Sequence, residues 1–573
     1  MQPKNNLPAT TSERYWFWAL AAFCCFMVFQ NLGAAHLFEP DEGRNAERAR
    51  ELLLLNNWTI PHENFLPALD KTIFLYWLIA IAYKCFGVSE WSARLPSALA
   101  ALGCLFLLHR FVRARWGAWE ARWSVLILLT NIEFFLYSRI AIFDMTLTFF
   151  TTLALVASQQ ALETGDRGPR VVHIILMSGA MGLATLVKGP IGVVLPGMVI
   201  FFYMLFRRDW SFLTWRNLLL GGLVFCAIVA PWAWWTETRH AGYLRYFFLE
   251  ENFLRFLTPH FRRTEPWYYY ILVVACGFFP WSLFLPFAVK DSWSKSLAKE
   301  NLFLILWIVV PFFFFSASKS KLPHYILPIF PALSILTARS IKAISADPAS
   351  KRLWTLSLPW LMWLFLICYF VIGAQWPSLL PQEIRETITQ MSSFQRSLNV
   401  ALIFVLALYT FGAARCLWKK QRTIYLFHCL GMALVLLFIA VTFAAASHTR
   451  SAKTLAERAS PYIRPQDQLV SYDVYLNGLP FYLRVERPIW VIWSGRSKII
   501  MQNIYVAQKQ PAPAPGYGQV LFTFEEFAKE WKEAKQPLLV FLKQRQRSRL
   551  LLQGGELPKE LSRVGEFVLV SNH

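Results

Sequence analysis

Long apolar stretches alternate with short polar connections along the chain up to residue 446. Each stretch has about twenty residues, the length that an α-helix needs to cross the hydrocarbon core of a bilayer. The runs are continuous rather than alternating, which excludes a transmembrane barrel of strands. The pattern predicts helices at 15–33, 72–87, 94–112, 121–137, 145–163, 171–187, 190–206, 216–236, 267–289, 301–318, 325–342, 353–374, 399–417 and 424–446.

The charged residues between the apolar runs indicate which runs cross the membrane. The run 72–87 is short and contains Lys84, so it is marginal as a span and suits a helix lying along the interface. With that choice all the basic connections fall on one side, which the positive-inside rule assigns to the cytoplasm. We therefore predict thirteen spans, an inside amino terminus and an outside carboxyl terminus. The basic connections carry Arg113, Arg115 and Arg122; Arg167 and Arg170; Arg207, Arg208 and Arg216; Lys290, Lys295 and Lys299; Arg339, Lys342, Lys351 and Arg352; and Arg415, Lys419, Lys420 and Arg422.

The remaining residues, 447–573, have a different composition and form a predicted second domain. Short apolar runs typical of strands alternate there with helix-length segments, a pattern that favours a small α/β domain. The transmembrane domain is 1–446, with outer loops at 33–93, carrying juxtamembrane helices, and at 237–266. The predicted strands are 468–472, 489–493, 519–524, 538–542 and 566–570, with a helix at 525–535 and a proline-rich loop at 510–518.

Composition excludes several classes of protein. Hydrophobic residues make up 56% of the chain and charged residues 16%, too few to coat several soluble domains. The formal net charge of +22 would suit a nucleic acid, but the basic residues are spread over the connections. The sequence contains no Walker loop, HExxH helix or GxSxG elbow, so ATP-driven transport and standard hydrolysis lack support.

An acidic segment follows the first apolar run and carries candidate chemistry. Asp41 and Glu42 come directly before Gly43, and Arg44 follows. In one interpretation the segment is a solvated loop with a carboxylate at a helix N-terminus. In the other, a carboxylate at the membrane interface acts as a base or binds a cationic substrate. Asp41 and Glu42 are therefore candidate catalytic residues, and Arg44 is a candidate substrate-binding residue.

Asp144 is a lone carboxylate at the start of an otherwise apolar helix. Ionisable residues within membrane spans are costly, and they usually face a cavity or a charged partner. The sequence offers Arg139 as a partner for a structural ion pair. The functional interpretation, which we favour, makes Asp144 a third candidate catalytic residue.

Cations and aromatic residues recur in the predicted outer connections. A lysine or arginine at headgroup depth can bind a lipid phosphate, although a long side chain there can also simply extend to water. Three such connections on one chain indicate a site for anionic lipid headgroups. The candidate substrate-binding residues are Lys71, Arg255, His260, Lys321, His324 and Tyr325.

These motifs carry a resemblance to a known family. Asp41-Glu42, Asp144, the segment ENFLRF at 251–256 and the segment SKLPHYILPIFP at 320–331 resemble those of bacterial GT-C membrane glycosyltransferases, which are related to protein O-mannosyltransferases. The likeness extends over the whole chain, including the outer domain. Within the family, the chain is similar to the branch that transfers aminoarabinose to lipid A.

The resemblance implies a donor, an acceptor and a location. Enzymes of this branch take 4-amino-4-deoxy-L-arabinose from an undecaprenyl phosphate carrier at the periplasmic face of the bacterial inner membrane. They attach it to a lipid A phosphate, which gives resistance to polymyxin and other cationic antimicrobial peptides. Lys71 and Arg255 would then bind the carrier phosphate, and Asp41 or Asp144 would bind the sugar ammonium.

Cofactors and alternative functions follow from the same residues. No nucleotide is needed, no cofactor is expected, and a divalent metal near the carboxylates remains compatible with the sequence although no ligand spacing demands one. A protein O-glycosyltransferase of the same fold stays open, and it would need a base for its hydroxyl acceptor. A lipid transporter without catalytic activity also stays open, and it would need no catalytic carboxylate.

Overall fold

The structure, a computed structural model, describes residues 11–165, 167–254, 265–294, 299–346, 424–493, 500–501, 503–534, 536–548, 550 and 558–572. Helices dominate it up to residue 446. They are α1 (Thr11–Phe29), α2 (Asp41–Leu54), α3 (Phe74–Phe86), α4 (Glu90–Trp116), α5 (Ala118–Leu129), α6 (Ile132–Tyr137), α7 (Phe143–Glu163), α8 (Arg167–Lys188), α9 (Ile191–Arg207), α10 (Trp215–Arg239), α11 (Tyr269–Gly277), α12 (Leu285–Ser294), α13 (Lys299–Ala317), α14 (Phe330–Ala346) and α15 (Ile424–Ala446).

Several of these helices can cross a membrane. Six in the described part of the chain are long and apolar enough, and a seventh span results if two helical pieces that meet at 110° count as one. This confirms a polytopic α-helical membrane protein, while the total of thirteen spans stays a prediction. The predicted spans at 353–374 and 399–417 lie outside the described residues. The six helices are Glu90–Trp116, Phe143–Glu163, Arg167–Lys188, Trp215–Arg239, Lys299–Ala317 and Pro323–Ile344, and the bent pair is Tyr269–Gly277 with Trp281–Lys290.

The short helix α3 lies at the predicted interfacial run. Its 13 residues extend over about 20 Å, well below the roughly 30 Å of a hydrocarbon core. It contacts α2, α4 and α8. Its length fits a helix along the membrane surface better than a span.

Charged helix ends meet on one side of the bundle. Arg113 near the end of α4 pairs with Glu13 near the start of α1 at 3.1 Å, and Trp116 donates to Glu300 near the start of α13 at 3.0 Å. Several of the predicted basic connections therefore lie together. The candidate residues belong to the opposite ends of these helices. Further ion pairs on the basic side join Arg115 to Glu163 and Lys342 to Glu120.

Residues after 446 form an α/β unit built on one six-stranded sheet. The strand order is β5-β4-β3-β6-β8-β7, with β5, β4, β3 and β6 parallel and the last two strands antiparallel. Five of the strands confirm the predicted positions. The strands are β3 (Gln468–Tyr472), β4 (Trp490–Ile492), β5 (Leu521–Phe522), β6 (Leu538–Lys543), β7 (Lys559–Val564) and β8 (Phe567–Ser571); a two-stranded ribbon, β1 (His62–Glu63) and β2 (Leu66–Pro67), lies in the first outer loop.

Helices flank this sheet, and the proline-rich loop 510–518 contains neither helix nor strand, as predicted. The predicted helix at 525–535 is present as the last one of the chain. The helices of this unit are α16 (Lys453–Ala459), α17 (Leu479–Leu483), α18 (Ile504–Lys509) and α19 (Phe524–Glu533).

The α/β unit docks on α2 and the loop before it. The carboxylate of Glu39 accepts the backbone N–H groups of Asn477 at 2.8 Å and Gly478 at 2.6 Å. Gly43 allows this approach, because a Cβ there would lie 2.7 Å from the backbone nitrogen of Gly478. Glu63 accepts further bonds from the side-chain amides of Asn477 and Asn503. Carboxylates on one side and amide N–H groups on the other therefore form the junction.

Helix α2 is unusual because most of its charged residues are buried. Glu42 receives two hydrogen bonds of 2.8 Å from the guanidinium of Arg94, and it also accepts the backbone N–H groups of Phe38 and Ala141. Arg94 in turn donates to three backbone carbonyls of the segment 32–36. The Glu42–Arg94 pair thus joins α2, α4 and the turn before α7, and its oxygens are occupied by protein donors.

Breaking this pair should destabilise the protein. Arg94→Met leaves the Glu42 carboxylate buried without its cation, and we expect a loss of about 3–5 kcal/mol in the free energy of unfolding. The double variant Glu42→Gln/Arg94→Met should lose less than the sum of the two single variants. Thermal unfolding of purified protein measures both effects.

The control variant is Arg113→Met. Its pair with Glu13 is more than a third exposed on both sides, so the expected change is below about 1 kcal/mol. A melting temperature of Arg94→Met equal to that of wild type would contradict the structural role of the buried pair.

The contribution of Glu39 to the stability of the folded protein should fall as the pH rises. Burial raises the pKa of Glu39 to about 7 from 4.5, although the N–H groups of Gly478 and Asn477 act in the opposite direction. The folded protein therefore binds this proton more tightly than the unfolded chain does. The contribution is fully present below pH 4.5 and is lost as the pH rises through 7.

Glu39→Gln cannot titrate, so we expect the melting temperature of wild type to fall relative to that of Glu39→Gln between pH 5 and pH 8. Glu566→Gln serves as the control, because Glu566 is mostly exposed in the same α/β unit. A constant difference between wild type and Glu39→Gln over this range would count against the assignment.

Candidate active site

Five chain segments converge at the ends of the helices opposite the basic connections. The hydroxyl of Thr72 donates to the carbonyl of Val187 at 2.7 Å, which joins the start of α3 to the end of α8. The side-chain amide of Asn45 in α2 donates to the carbonyl of Ala141 before α7 at 2.9 Å. Phe247 packs on Gly189, which brings in the outer loop after α10. These contacts position the candidate residues.

Asp144 lies at the centre of a charged cluster. Its carboxylate forms an ion pair with Nζ of Lys188 and lies 3.6 Å from Nε2 of His324, and only 4% of the side chain is exposed. Nζ of Lys188 is also 4.3 Å from the centre of the Tyr325 ring. The structure thus brings together three residues that the sequence nominated, Asp144, His324 and Tyr325, and adds Lys188 to them.

The sequence-based partner of Asp144 was wrong. The guanidinium of Arg139 donates instead to the backbone carbonyls of Met27, Val28 and Gln30 at the end of α1. Those carbonyls end a helix, where the macrodipole favours a cation. Arg139 therefore joins α1 to the turn before α7, and the partners of Asp144 are Lys188 and His324.

Asp41 is the accessible carboxylate of the site. Its side chain is 48% exposed and forms an ion pair with Arg44 one turn further along α2. The Tyr137 ring lies 5.2 Å from the ring of His324, beside Asp144. The hydrogen bond from the Ala141 N–H to Glu42 places the start of α2 next to the start of α7, although Asp41 and Asp144 are about 100 residues apart in sequence. Glu42, beside Asp41, differs from it because its carboxylate is enclosed by Arg94.

Lys71 forms part of a second charged group. Its Nζ lies 2.7 Å from Oε1 of Glu251 and 3.6 Å from Oδ2 of Asp70. Asp70 also pairs at 2.9 Å with Arg48, which is fully buried and pairs with Glu63. Burial alone would raise the pKa of Asp70, but the cations Arg48 and Lys71 outweigh it and hold that pKa well below the usual range. Asp70 is therefore a permanent anion beside Lys71.

Lys321 has a different environment from Lys71. Its ammonium donates to the backbone carbonyls of Ser318 at 2.7 Å and Glu265 at 3.0 Å, and the residue is buried. Burial lowers its pKa. It joins two connections rather than presenting a charge to a ligand. Arg255 and His260, the other nominated cations of the outer loop, lie outside the described residues.

Two residues of the site were missed in the sequence. Lys188 closes an apolar helix directly before Gly189, whose backbone has a φ of 77°, and a lone lysine at such a turn was a usable signal. Glu251 lies within the predicted motif, but nothing in the sequence paired it with Lys71, 180 residues away. Both pairings depend on tertiary packing.

A cavity of about 730 Å³ lies beside the end of α8, with Leu186, two residues before Lys188, in its wall. Its lining is mainly apolar and includes Trp58, Trp77 and Trp232 together with several polar residues, but Lys188 itself does not line it. The indole N–H groups of Trp77 and Trp232 donate to backbone carbonyls at 2.7 and 2.9 Å. Among the described residues, no three His, Cys, Asp or Glu side chains are placed to hold a metal ion.

Part of the candidate site lies in a region that matches a known protein family. Residues 70–235 match the family of dolichyl-phosphate-mannose-protein mannosyltransferases. That region includes Lys71, Asp144 and Lys188.

Named relatives match a longer region. The undecaprenyl phosphate-alpha-4-amino-4-deoxy-L-arabinose arabinosyl transferase of Pseudomonas aeruginosa (strain UCBPP-PA14) is 34% identical over 333 residues, 57% of this chain and 59% of the relative. The protein of the same name from Aeromonas hydrophila is 31% identical over 359 residues, 62% of this chain and 65% of the relative. The chain thus spans about three fifths of the length of these relatives.

Solved structures share the fold over nearly the whole chain. ArnT from Cupriavidus metallidurans, in a crystal structure bound to undecaprenyl phosphate, is 25% identical with a TM-score of 0.80, and the match covers 98% of both chains. The apo structure of that protein gives a TM-score of 0.79 at 24% identity. Together with the match over residues 70–235, this likeness shows that the chain has the GT-C fold of these membrane proteins.

Proposed function

We propose that the protein transfers 4-amino-4-deoxy-L-arabinose from an undecaprenyl phosphate carrier to a phosphate of lipid A. The observation that carries the proposal is the convergence of Lys71, Asp41 and the Asp144–Lys188–His324 cluster in a fold shared with a protein that binds undecaprenyl phosphate. The names of the relatives support the sugar and the carrier. The mainly apolar cavity beside the end of α8 would suit the hydrocarbon chains of such substrates.

The proposed reaction exchanges one phosphate for another at the anomeric carbon of the sugar. A lipid A phosphate oxygen attacks that carbon, the bond from the carbon to the carrier phosphate breaks, and undecaprenyl phosphate leaves with the bonding electrons. The attacking oxygen is already ionised near neutral pH, so no strong general base is needed. The leaving phosphate gains negative charge, which a nearby cation stabilises.

The side chains divide into three proposed roles. Lys71, with Arg255 from the outer loop, binds the carrier phosphate. Asp41 is the accessible carboxylate and binds the sugar ammonium, with Arg44 holding its orientation. Asp144 is enclosed, so it positions Lys188 and His324 rather than releasing its charge to a substrate.

The location follows from the arrangement of the charged helix ends. We place the basic connections in the cytoplasm and the site at the periplasmic face of the bacterial inner membrane, with thirteen spans in total. The α/β unit then lies in the periplasm above α2. The product of this reaction would give resistance to polymyxin and other cationic antimicrobial peptides.

Replacing the two aspartates tests the proposed activity. Asp41→Asn and Asp144→Asn keep the side-chain shape but remove the charge, and a charge-assisted hydrogen bond contributes about 1.5–3 kcal/mol. We expect each variant to lose roughly tenfold to a hundredfold of the transfer rate. The measurement is the fraction of lipid A carrying aminoarabinose, by mass spectrometry, in cells expressing equal amounts of folded protein.

The control is Asp209→Asn, an exposed aspartate in the connection between α9 and α10 at the basic end. It should modify lipid A as wild type does. Unmodified lipid A in cells with wild-type protein would refute the proposed acceptor. Full activity of both aspartate variants would instead show that the carboxylates are structural.

Lys321, unlike Lys71, should behave as a structural residue. Lys321→Met removes hydrogen bonds to two carbonyls, each contributing about 1.5–3 kcal/mol when the donor is charged, so we expect a lower melting temperature. The affinity of the folded fraction for undecaprenyl phosphate should stay within about twofold of wild type, a difference of about 0.4 kcal/mol. Lys319→Met, at an exposed neighbour, should change neither quantity. A specific loss of affinity in Lys321→Met would return Lys321 to the binding site.

A further inference from the structure

The lysine that we assign to the carrier phosphate already holds an anion in this structure. Nζ of Lys71 donates to Oε1 of Glu251 at 2.7 Å and to the carbonyl of Asp70 at 3.0 Å. An ammonium group has three N–H donors, so two of the three are in use. About a quarter of the Lys71 side chain is exposed, against 6% of Glu251. A phosphate that binds Lys71 therefore comes next to the carboxylate of Glu251.

Asp70 is the other carboxylate beside Lys71, but a phosphate cannot readily displace it. Arg48 lies 2.9 Å from its Oδ1 and is itself fully buried. Glu251 reaches Lys71 from a different segment, 180 residues along the chain. Movement of the Glu251 carboxylate away from Lys71 would leave the Asp70–Arg48 pair in place.

The segment that carries Glu251 is held in place by ring contacts at its start. It forms a π-helical stretch, Tyr246–Leu254, and such widened turns occur frequently at functional sites. The ring of Tyr246 packs at 4.9 Å on Tyr505 of the α/β unit, and a Cβ on Gly189 would come within 2.8 Å of the Phe247 ring. The anchored backbone keeps Glu251 near Lys71 even when its side chain turns away.

The charge of the carrier phosphate changes during the proposed reaction. In the donor it is a diester with one negative charge, whereas released undecaprenyl phosphate is a monoester with a charge of about −1.5 to −2 near pH 7. A lone cation would therefore bind the product more tightly than the donor. A competing carboxylate beside the lysine weakens product binding and favours turnover.

We propose that Glu251 is a resident anion that competes with the carrier phosphate for Lys71. The donor phosphate displaces the Glu251 carboxylate, and that carboxylate binds Lys71 again as undecaprenyl phosphate leaves. Glu251 forms and breaks no covalent bond in this exchange, so it is a positioning residue. The inference rests on the proposed function, because it requires that Lys71 binds the carrier phosphate.

The test measures the affinity of purified full-length protein for undecaprenyl phosphate in detergent or nanodiscs. We expect Glu251→Gln to bind it about tenfold more tightly than wild type, because removing the competing charge makes about 1.4 kcal/mol of additional binding energy available. Product inhibition of transfer should strengthen in parallel, with a smaller fall in the KM of the donor. Glu251→Asp, shorter by one methylene, should show an intermediate effect.

Two further variants separate this proposal from the proposed function. Glu250→Gln changes the adjacent carboxylate, for which the described residues include no ion pair, and should bind as wild type does. Lys71→Met should bind at least about tenfold more weakly. If Lys71→Met is weak while Glu251→Gln is unchanged or weaker, Glu251 is not a competitor although the carrier site stands. Unchanged binding by Lys71→Met would overturn the carrier site and this proposal together. Monodisperse elution and an unchanged melting temperature are required of each variant compared.

Discussion

The structure depends on the pairing of buried carboxylates with buried arginines around α2. Glu42, Glu63 and Asp70 are buried at the edge of the membrane bundle, and each has an arginine within ion-pair distance. An isolated charge in such surroundings would be neutralised or would unfold the region. Removing carboxylates from water is acceptable only because Arg48 and Arg94 are buried with them. The arginines thereby fix the position of α2 between the spans and the α/β unit.

This compensation also determines which charges can act on a substrate. Most charged residues of α2 are held by partners within the protein, so they form a rigid support rather than a reactive surface. Asp41 at the exposed start of the helix and Lys71 after the following ribbon keep accessible side chains. The adjacent acidic residues of the sequence motif therefore have two different environments, a buried one paired with arginine at Glu42 and an accessible one at Asp41.

Much of the fold could be predicted from the sequence because it follows from local composition. Apolar runs and basic connections predicted the described helices and the grouping of their basic ends, and alternating segments predicted five strands of the sheet. The strand Lys559–Val564 was missed, since its sequence KELSRV is largely polar and it pairs only with Phe567–Ser571. Asp144 was recognisable as a charge in an apolar helix. Its partners were not, because Arg139 is near in sequence while Lys188 and His324 are near only after folding.

The junction between α2 and the α/β unit shows whether the chain consists of separate folding units. Composition changes sharply near residue 446, as if two independent modules had been joined. Yet Glu39 and Glu63 receive hydrogen bonds from Asn477, Gly478 and Asn503, all beyond that point. The helical part alone would leave the Glu39 carboxylate without these two backbone donors and Glu63 with Arg48 but without the two asparagine amides. The change in composition near residue 446 is therefore not a boundary between independently folding units. The two parts are expected to fold and unfold together.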